Sequence, residues 1–373
     1  MPIQKSNNYV ALPTRSAPPP PSDPYSELAQ DLSICFGTKT LKKDVEDIVK
    51  FLQDSRYRDP IYRQASNGAF ICSHKLTGLP FTLTIFERPG DKPKVYLDLK
   101  KDHQLGSGGF KVATESYLLG EGPCVALRMK LGPGTISPFT MTQIEERFGK
   151  LAQQTKELDH PLSMIPKDFV TYDSASKPGF RKNKSYVPQA KCDMLDYLQQ
   201  TKSNALSTRQ ALDFAYTIAH QIRALHDAGF AHRDIKPDNI LLEEIEVNGR
   251  KGFMPQLADF DSINDKATYS FFGTPGFMDE NAKDNRHKSV AMQKRSDLFA
   301  FGITLGIALY GREFGEGKTL HHELNTALKR NWKSDDSQTN ALQQIIAYLI
   351  MPNLPYTIND AIQALEKARD IKS

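Results

Sequence analysis

The chain has 373 residues, room for about two or three domains and for a buried core. With 39% hydrophobic and 25% charged residues it is not a wholly disordered chain. Lys and Arg number 48 against 44 Asp and Glu, and the net charge of +4 is too small to argue for nucleic acid, so no nucleic-acid partner is expected.

Cys35, Cys72, Cys124 and Cys192 lie far apart with no CxxC pair. Metal-type spacing is therefore absent, and a reduced, cytoplasmic compartment is expected. The run MPIQKSNNYV has no apolar signal core. The longest near-apolar stretch, Leu298 to Tyr310, falls short of the ~20 residues of a membrane span, so no transmembrane segment is expected.

Residues 1–24 carry Pro18–Pro21 with Ser and Asn, too little apolar surface to offset the entropy of ordering, and read as a disordered tail. Leu28, Leu32 and Cys35 suit a short helix, and Leu41, Val45, Ile48, Val49 and Leu52 recur at helical spacing. Strand-like runs follow at Ala69–His74, Phe81–Phe86 and Val95–Leu99. Phe81, Leu83 and Ile85 alternate with Thr82, Thr84 and Phe86, which predicts a half-buried strand. Residues 25–98 are thus expected to form an accessory α+β region.

The turn Leu105-Gly106-Ser107-Gly108-Gly109-Phe110-Lys111-Val112 lets backbone N–H groups approach phosphates closely, though an ordinary hairpin turn has the same composition. Val125 to Lys130 reads as a strand with Arg128 and Lys130 on one face. Either one of them reaches the phosphates or both are solvated charges. Met141, Ile144, Phe148 and Leu151 predict a helix from Thr140 to Lys156, with Glu145 at the edge of the apolar face and Glu146 on the solvent side.

Ser207-Thr208-Arg209-Gln210 is a capping box opening a helix that Gly229 stops. Next comes His232-Arg233-Asp234-Ile235-Lys236-Pro237-Asp238-Asn239, where Pro237 bars a helix from running through. A strand follows, a turn at Asn248-Gly249, and a second strand ending at Leu257-Ala258-Asp259-Phe260-Asp261. A base, an amide and a carboxylate at these spacings are what phosphoryl transfer requires.

Over roughly residues 100–373 the chain resembles a Ser/Thr-type protein kinase. The resemblance rests on His232-Arg233-Asp234 with Lys236 and Asn239, Asp259-Phe260-Asp261, Gly273-Thr274-Pro275-Gly276, and Asp297-Leu298-Phe299-Ala300-Phe301-Gly302. It implies a bilobal α+β fold, with a small lobe over 99–187 and a large lobe over 188–373. It implies ATP as phosphoryl donor and Mg²⁺, or Mn²⁺, as metal. Asp234 would be the base and Lys236 would touch the transferred group. Asn239 and Asp259 would hold the metal. Leu105, Gly106, Gly108, Gly109, Val112, Ala126, Arg128, Lys130 and Glu145 would hold the nucleotide, with Gln189 and Lys191 in the adenine-binding segment. Asp297 would brace the catalytic loop, Arg233 would pair with an activation-segment anion, and Thr274 would lie by the substrate hydroxyl. The implied partner is a protein carrying Ser or Thr.

The pattern departs from the family at four places. Arg128 stands where the family has its ATP-orienting Lys, and Lys130 is the alternative on the same face. Lys111 replaces the third Gly of the turn. Asp261 replaces the Gly of the metal-binding triplet, either as a further ligand or as a stiffer joint. Met278-Asp279-Glu280 ends its segment one residue short, and Pro355 stands where an Arg would pair with Glu280.

Lys177, Arg181, Lys182, Lys184 and Lys191 lie within residues 177–191 with no acid, and Lys283, Arg286, Lys288, Lys294 and Arg295 cluster near Asp284. These are solvated basic faces or, in the sharper reading, Lys177, Arg181, Lys182 and Lys184 bind an inositol polyphosphate or a phosphoinositide headgroup. The expected function is an atypical protein kinase. The alternative is a pseudokinase scaffold that binds nucleotide without transfer. A lipid or small-molecule kinase is disfavoured by Gly273-Thr274 and by Asp234-Ile235-Lys236-Pro237. The compressed segment ending and added N-terminal region also resemble kinase-like effectors that bacteria secrete, which would place the chain in a host cytosol.

Overall fold

The computed structural model describes residues 63–64, 70–74, 81–88, 90–91, 93–99, 104–107, 111–129, 138–155, 162–166, 168–173, 181–201, 203–247, 250–268, 273–278, 289–311, 324, 334–351 and 354–371. The Pro-rich tail, the helices expected before residue 53, Gly108, Gly109, Lys130, Lys177, the Asn248-Gly249 turn and Glu280 lie outside them, as do the side chains of Glu145, Arg181 and Lys182. Two compact units form. One draws on Met1–Ile136, Asp168–Val187 and Glu246–Gly252, the other on Ser137–Lys167, Pro188–Ile245 and Phe253–Ser373.

The first unit is a nine-stranded sheet. Its strands are β1 (Arg63–Gln64), β2 (Phe70–His74), β3 (Phe81–Glu87), β4 (Lys94–Leu99), β5 (Gln104–Ser107), β6 (Lys111–Leu118), β7 (Gly122–Met129), β8 (Asp168–Asp173) and β9 (Arg181–Pro188). The order is β1-β2-β3-β4-β6-β7-β9-β8, with β5 also on β6. Antiparallel β4 takes the Ser116–Leu118 end of β6, and β5 takes the Val112–Thr114 end on the same side. The boundary expected at residues 98/99 is therefore not a break: the accessory strands continue the sheet of the glycine-rich turn. The two ends of the order, β1 and β8, touch, so the sheet curls round on itself.

Curling encloses one face. Ile71, Phe86, Tyr96, Leu118, Cys124, Ala126 and Tyr186 form a single buried cluster there, and Thr84 is fully buried beside them. Phe81, Leu83, Ile85 and Leu97 are buried on the opposite face. The half-buried strand expected from the Phe81–Phe86 alternation is thus buried on both sides, because a period of 2 reports a flat sheet and not a closed one. Lys184 is a second correction. It is 6% exposed and its ammonium sits 2.5 Å from Asp98 Oδ2, so it belongs to the sheet interior and not to an exposed polyanion site.

The second unit holds α1 (Pro138–Thr155), β10 (Cys192–Asp193), α2 (Met194–Gln200), α3 (Thr208–Asp227), most of β11 (Ile240–Val247) and β12 (Arg250–Leu257), whose facing ends fall in the first unit, and α4 (Val290–Tyr310), α5 (Ser337–Ile350) and α6 (Ile358–Asp370). The expected small lobe included α1, but the helix belongs to this unit. Arg147 donates to the Ile263 carbonyl at 2.9 Å, and Lys150 lies 2.9 Å from Asp265 and 4.9 Å above the Phe230 ring, which tie it there. The predicted capping box forms at Ser207 and Gln210, and Gly229 ends the helix region at φ +88. Among the described residues no helix is long and apolar enough to cross a membrane. The apolar run of α4 is instead the core of this unit. It packs on α3 and α5, close enough that Gly302 leaves no room for a Cβ beside Leu349 and Ile350.

Candidate active site

Everything in the site follows from how the chain leaves α3. Phe230 is buried, and Ala231 exchanges two backbone hydrogen bonds with Asn264, at 2.9 and 3.0 Å. The next two peptide N–H groups meet one carboxylate: His232 N donates to Asp297 Oδ2 at 2.8 Å and Arg233 N to Oδ1 at 2.7 Å. His226 Nε2 is 2.9 Å from the same Oδ2. Asp297, 1% exposed, thereby braces the loop as the resemblance implied, and it steadies Arg233 in the left-handed region at φ +77.

His232 is fully buried. Its Nε2 faces the Ala258 carbonyl at 3.0 Å, so that nitrogen carries the hydrogen, and Nδ1 accepts from Asp234 N at 3.3 Å. Burial pushes the imidazole pKa below its ordinary value, against the pull of the Asp297, Asp259 and Asp234 carboxylates. The neutral ring packs edge-on against buried Phe260, with ring centroids 5.4 Å apart. It is a structural spacer between the two loops and not a base.

Four side chains then converge. Thr274 Oγ1 donates to Asp234 Oδ1 at 2.7 Å and accepts from Lys236 Nζ at 2.8 Å. Lys236 Nζ also lies 3.3 Å from Asp234 Oδ2. Asn239 Nδ2 donates to Asp234 Oδ2 at 2.9 Å and to the Asp234 carbonyl at 2.8 Å. Both partners are acceptors, which settles the amide's orientation and leaves its oxygen for another group. The turn Pro237–Asn239 makes this geometry local. Ala258 N donates to the Asn239 carbonyl at 2.9 Å, which sets Asp259 beside Asn239. Asp259 is exposed in a left-handed conformation, φ 61 and ψ 61, and a short turn Phe260–Ser262 carries Asp261 onward.

A carboxamide oxygen and an exposed carboxylate on adjoining loops are hard oxygen donors. They suit Mg²⁺, which is held by one or two protein oxygens together with substrate phosphates. Asn239 and Asp259 therefore fit the expected metal.

In the first unit, Val112 lies opposite Arg128 and Thr114 opposite Ala126 across β6 and β7, which puts Val112, Ala126 and Arg128 on one face. Ala126 is buried, Arg128 is exposed, and Leu105 on β5, beside Gly106, is 51% exposed. On α1, Ile144, Phe148 and Leu151 are buried and Glu146 is exposed, as the periodicity predicts. Lys191 N donates to the Leu242 carbonyl at 2.8 Å, pairing the segment after Pro188 with β11. Sequence reasoning missed His226, Asn264 and Asp265, which act through partners far along the chain and leave no local pattern.

The protein kinase domain family matches residues 177–363. Serine/threonine-protein kinase D of Synechocystis is 28% identical over 219 residues, 54% of this chain and 38% of that protein. Serine/threonine-protein kinase plk-2 of Caenorhabditis elegans is 25% identical over 283 residues, 71% of this chain and 40% of that protein. Serine/threonine-protein kinase PknA of Nostoc is 25% identical over 233 residues, 58% and 38% of the two chains. The chain thus spans about two fifths of the length of these relatives. The family match covers half of the chain and includes the whole Asp234–Asn239–Asp259 constellation, and the chain belongs to the protein kinase family.

Proposed function

We propose that the chain is an ATP-dependent protein kinase that transfers the γ-phosphoryl group to a Ser or Thr hydroxyl. The observation that carries this reading is the set of bonds around Asp234. Thr274 and Asn239 hold its two carboxylate oxygens in place, so one face of the carboxylate is fixed to receive a hydroxyl proton. Lys236 lies against both Asp234 and Thr274, and its ammonium is placed to meet negative charge on a transferred phosphoryl group. Asn239 and Asp259 would hold Mg²⁺, which when bound neutralises charge on the nucleotide phosphates. Val112 presents an apolar side chain for the base, with buried Ala126 on the same face behind it, and Arg128 replaces the usual Lys for the phosphates, with forked rather than point-like donors. Lys184 takes no part in polyanion binding, which leaves Lys177, Arg181 and Lys182 to any such activator.

The test is where the label goes when the purified chain meets γ-labelled ATP, Mg²⁺ and a mixed protein substrate. Label on Ser or Thr of protein is expected. Nucleotide binding with no transfer would make the chain a pseudokinase scaffold, the reading that the Arg128 departure favours. Label on a small molecule alone would also overturn the proposal.

A further inference from the structure

We propose that the strands preceding the glycine-rich turn are a working part of the nucleotide-binding unit, and that Asp98 on β4 is its positioning residue. The inference rests on the nucleotide-binding half of the reading above and not on transfer.

Asp98 is buried, yet its carboxylate meets four donors, three at Oδ2 and one at Oδ1. Lys184 Nζ lies 2.5 Å from Oδ2, Thr84 Oγ1 donates to Oδ2 at 2.7 Å, Ser116 Oγ donates to Oδ1 at 2.8 Å, and the Tyr186 hydroxyl donates to Oδ2 at 3.3 Å. Lys184 also donates to Thr84 Oγ1 at 2.6 Å, so the ammonium, hydroxyl and carboxylate close a ring. Burial would raise the Asp98 pKa, but the Lys184 charge and these hydrogen bonds outweigh it and hold the pKa below the ordinary value. A second tie lies beside the first. Tyr96 stacks on Tyr186 with centroids 3.5 Å apart and donates to Asp168, whose carboxylate also takes Lys94 at 2.7 Å.

The placement of these ties is what gives them a role. Asp98 and Tyr96 belong to β4, Lys184 and Tyr186 to β9, and Asp168 to β8, while β6 and β7 lie between in the sheet. The ties therefore bridge over the inner face of β6 and β7, the ribbon that carries Val112, Ala126 and Arg128. Ser116 is bonded to the bridge directly, and Tyr186 shares one buried cluster with Ala126. β9 then runs without a break to Pro188, from where the chain enters the segment proposed for adenine. A carboxylate fixed by four donors is a rigid point, and buried polar networks of this kind specify one arrangement of the elements that supply them. Losing it lets β9 shift against β7 and so disturbs the face that carries Val112 and Arg128.

Asp98→Asn keeps the shape and removes the charge. In the full chain, calorimetric titration with Mg·ATP is expected to give a dissociation constant raised about tenfold, which corresponds to ~1.4 kcal/mol. kcat at saturating ATP and the KM for protein substrate should stay within about twofold. Asp98→Asn with Lys184→Gln, a neutral hydrogen-bonded pair, should recover most of the affinity. Thr84→Val, which removes one arm of the ring, gives a milder variant to titrate should the first fail to fold, with a smaller loss expected. A lowered unfolding temperature with unchanged Mg·ATP affinity in either folded variant would reduce Asp98 to a structural staple and overturn the proposal. A wild-type chain that binds Mg·ATP without transferring phosphoryl would sink the kinase reading alone, because the titration does not depend on transfer.

Discussion

Asp297→Ala is expected to destabilise the second unit and to silence it. The carboxylate serves three donors, the backbone N–H groups of His232 and Arg233 and the His226 ring, from a position 1% exposed. Removal leaves buried donors with no acceptor and no route to water, a cost of about 3–5 kcal/mol. That is a large part of the ~5–15 kcal/mol by which domains are stable. Asp297→Asn should do nearly as badly, because it sets an NH₂ where an N–H already points. Denaturant midpoints of both variants, with the exposed Asp335→Ala as control, check this. A shift no larger than the ~0.5 kcal/mol of an ordinary surface change would contradict it.

The second large effect is on rate. Asp234→Asn preserves size but cannot take a proton, and it offers Thr274 and Asn239 one acceptor where they now have two. Loss of a general base is worth ~10²–10⁴ in kcat, and such a drop is expected with stability and Mg·ATP affinity nearly unchanged. A loss below tenfold in labelled-phosphate transfer would move the proton acceptor elsewhere.

These two predictions stand on residues that sequence motifs reveal well, and the reason is local. His232 to Asn239 act within eight consecutive residues, Pro237 bars the alternative helix, and the capping box at Ser207 fixes where the preceding helix starts. Asp259 and Thr274 add one fold-level step each. What escaped is the part that depends on closure. Lys184 stands in a basic run and its partner lies 86 residues earlier, so composition reads it as a surface charge. Thr84 and Phe86 alternate with apolar neighbours as exposed residues would, until the sheet curls and buries that face as well. The helix carrying Glu145 groups with the second unit through Arg147 and Lys150, whose partners Ile263 and Asp265 lie 116 and 115 residues away and leave no local pattern. Departures from the family pattern carried no more weight: Arg128, exposed on β7, still shares a face with Val112 and Ala126.

The proposed convergence of two loops on a nucleotide-bound metal can be tested without turnover. Mn²⁺ accepts the oxygen ligands that suit Mg²⁺ and broadens nuclear resonances close to it. In a nitrogen-15 spectrum of the full chain titrated with Mn²⁺ and ATP, the Asn239 side-chain amide and the backbone amides of Ala258 and Asp259 should be the first to vanish. If they stay sharp while nucleotide binding saturates, the metal lies elsewhere and the chemistry assigned to this site is wrong.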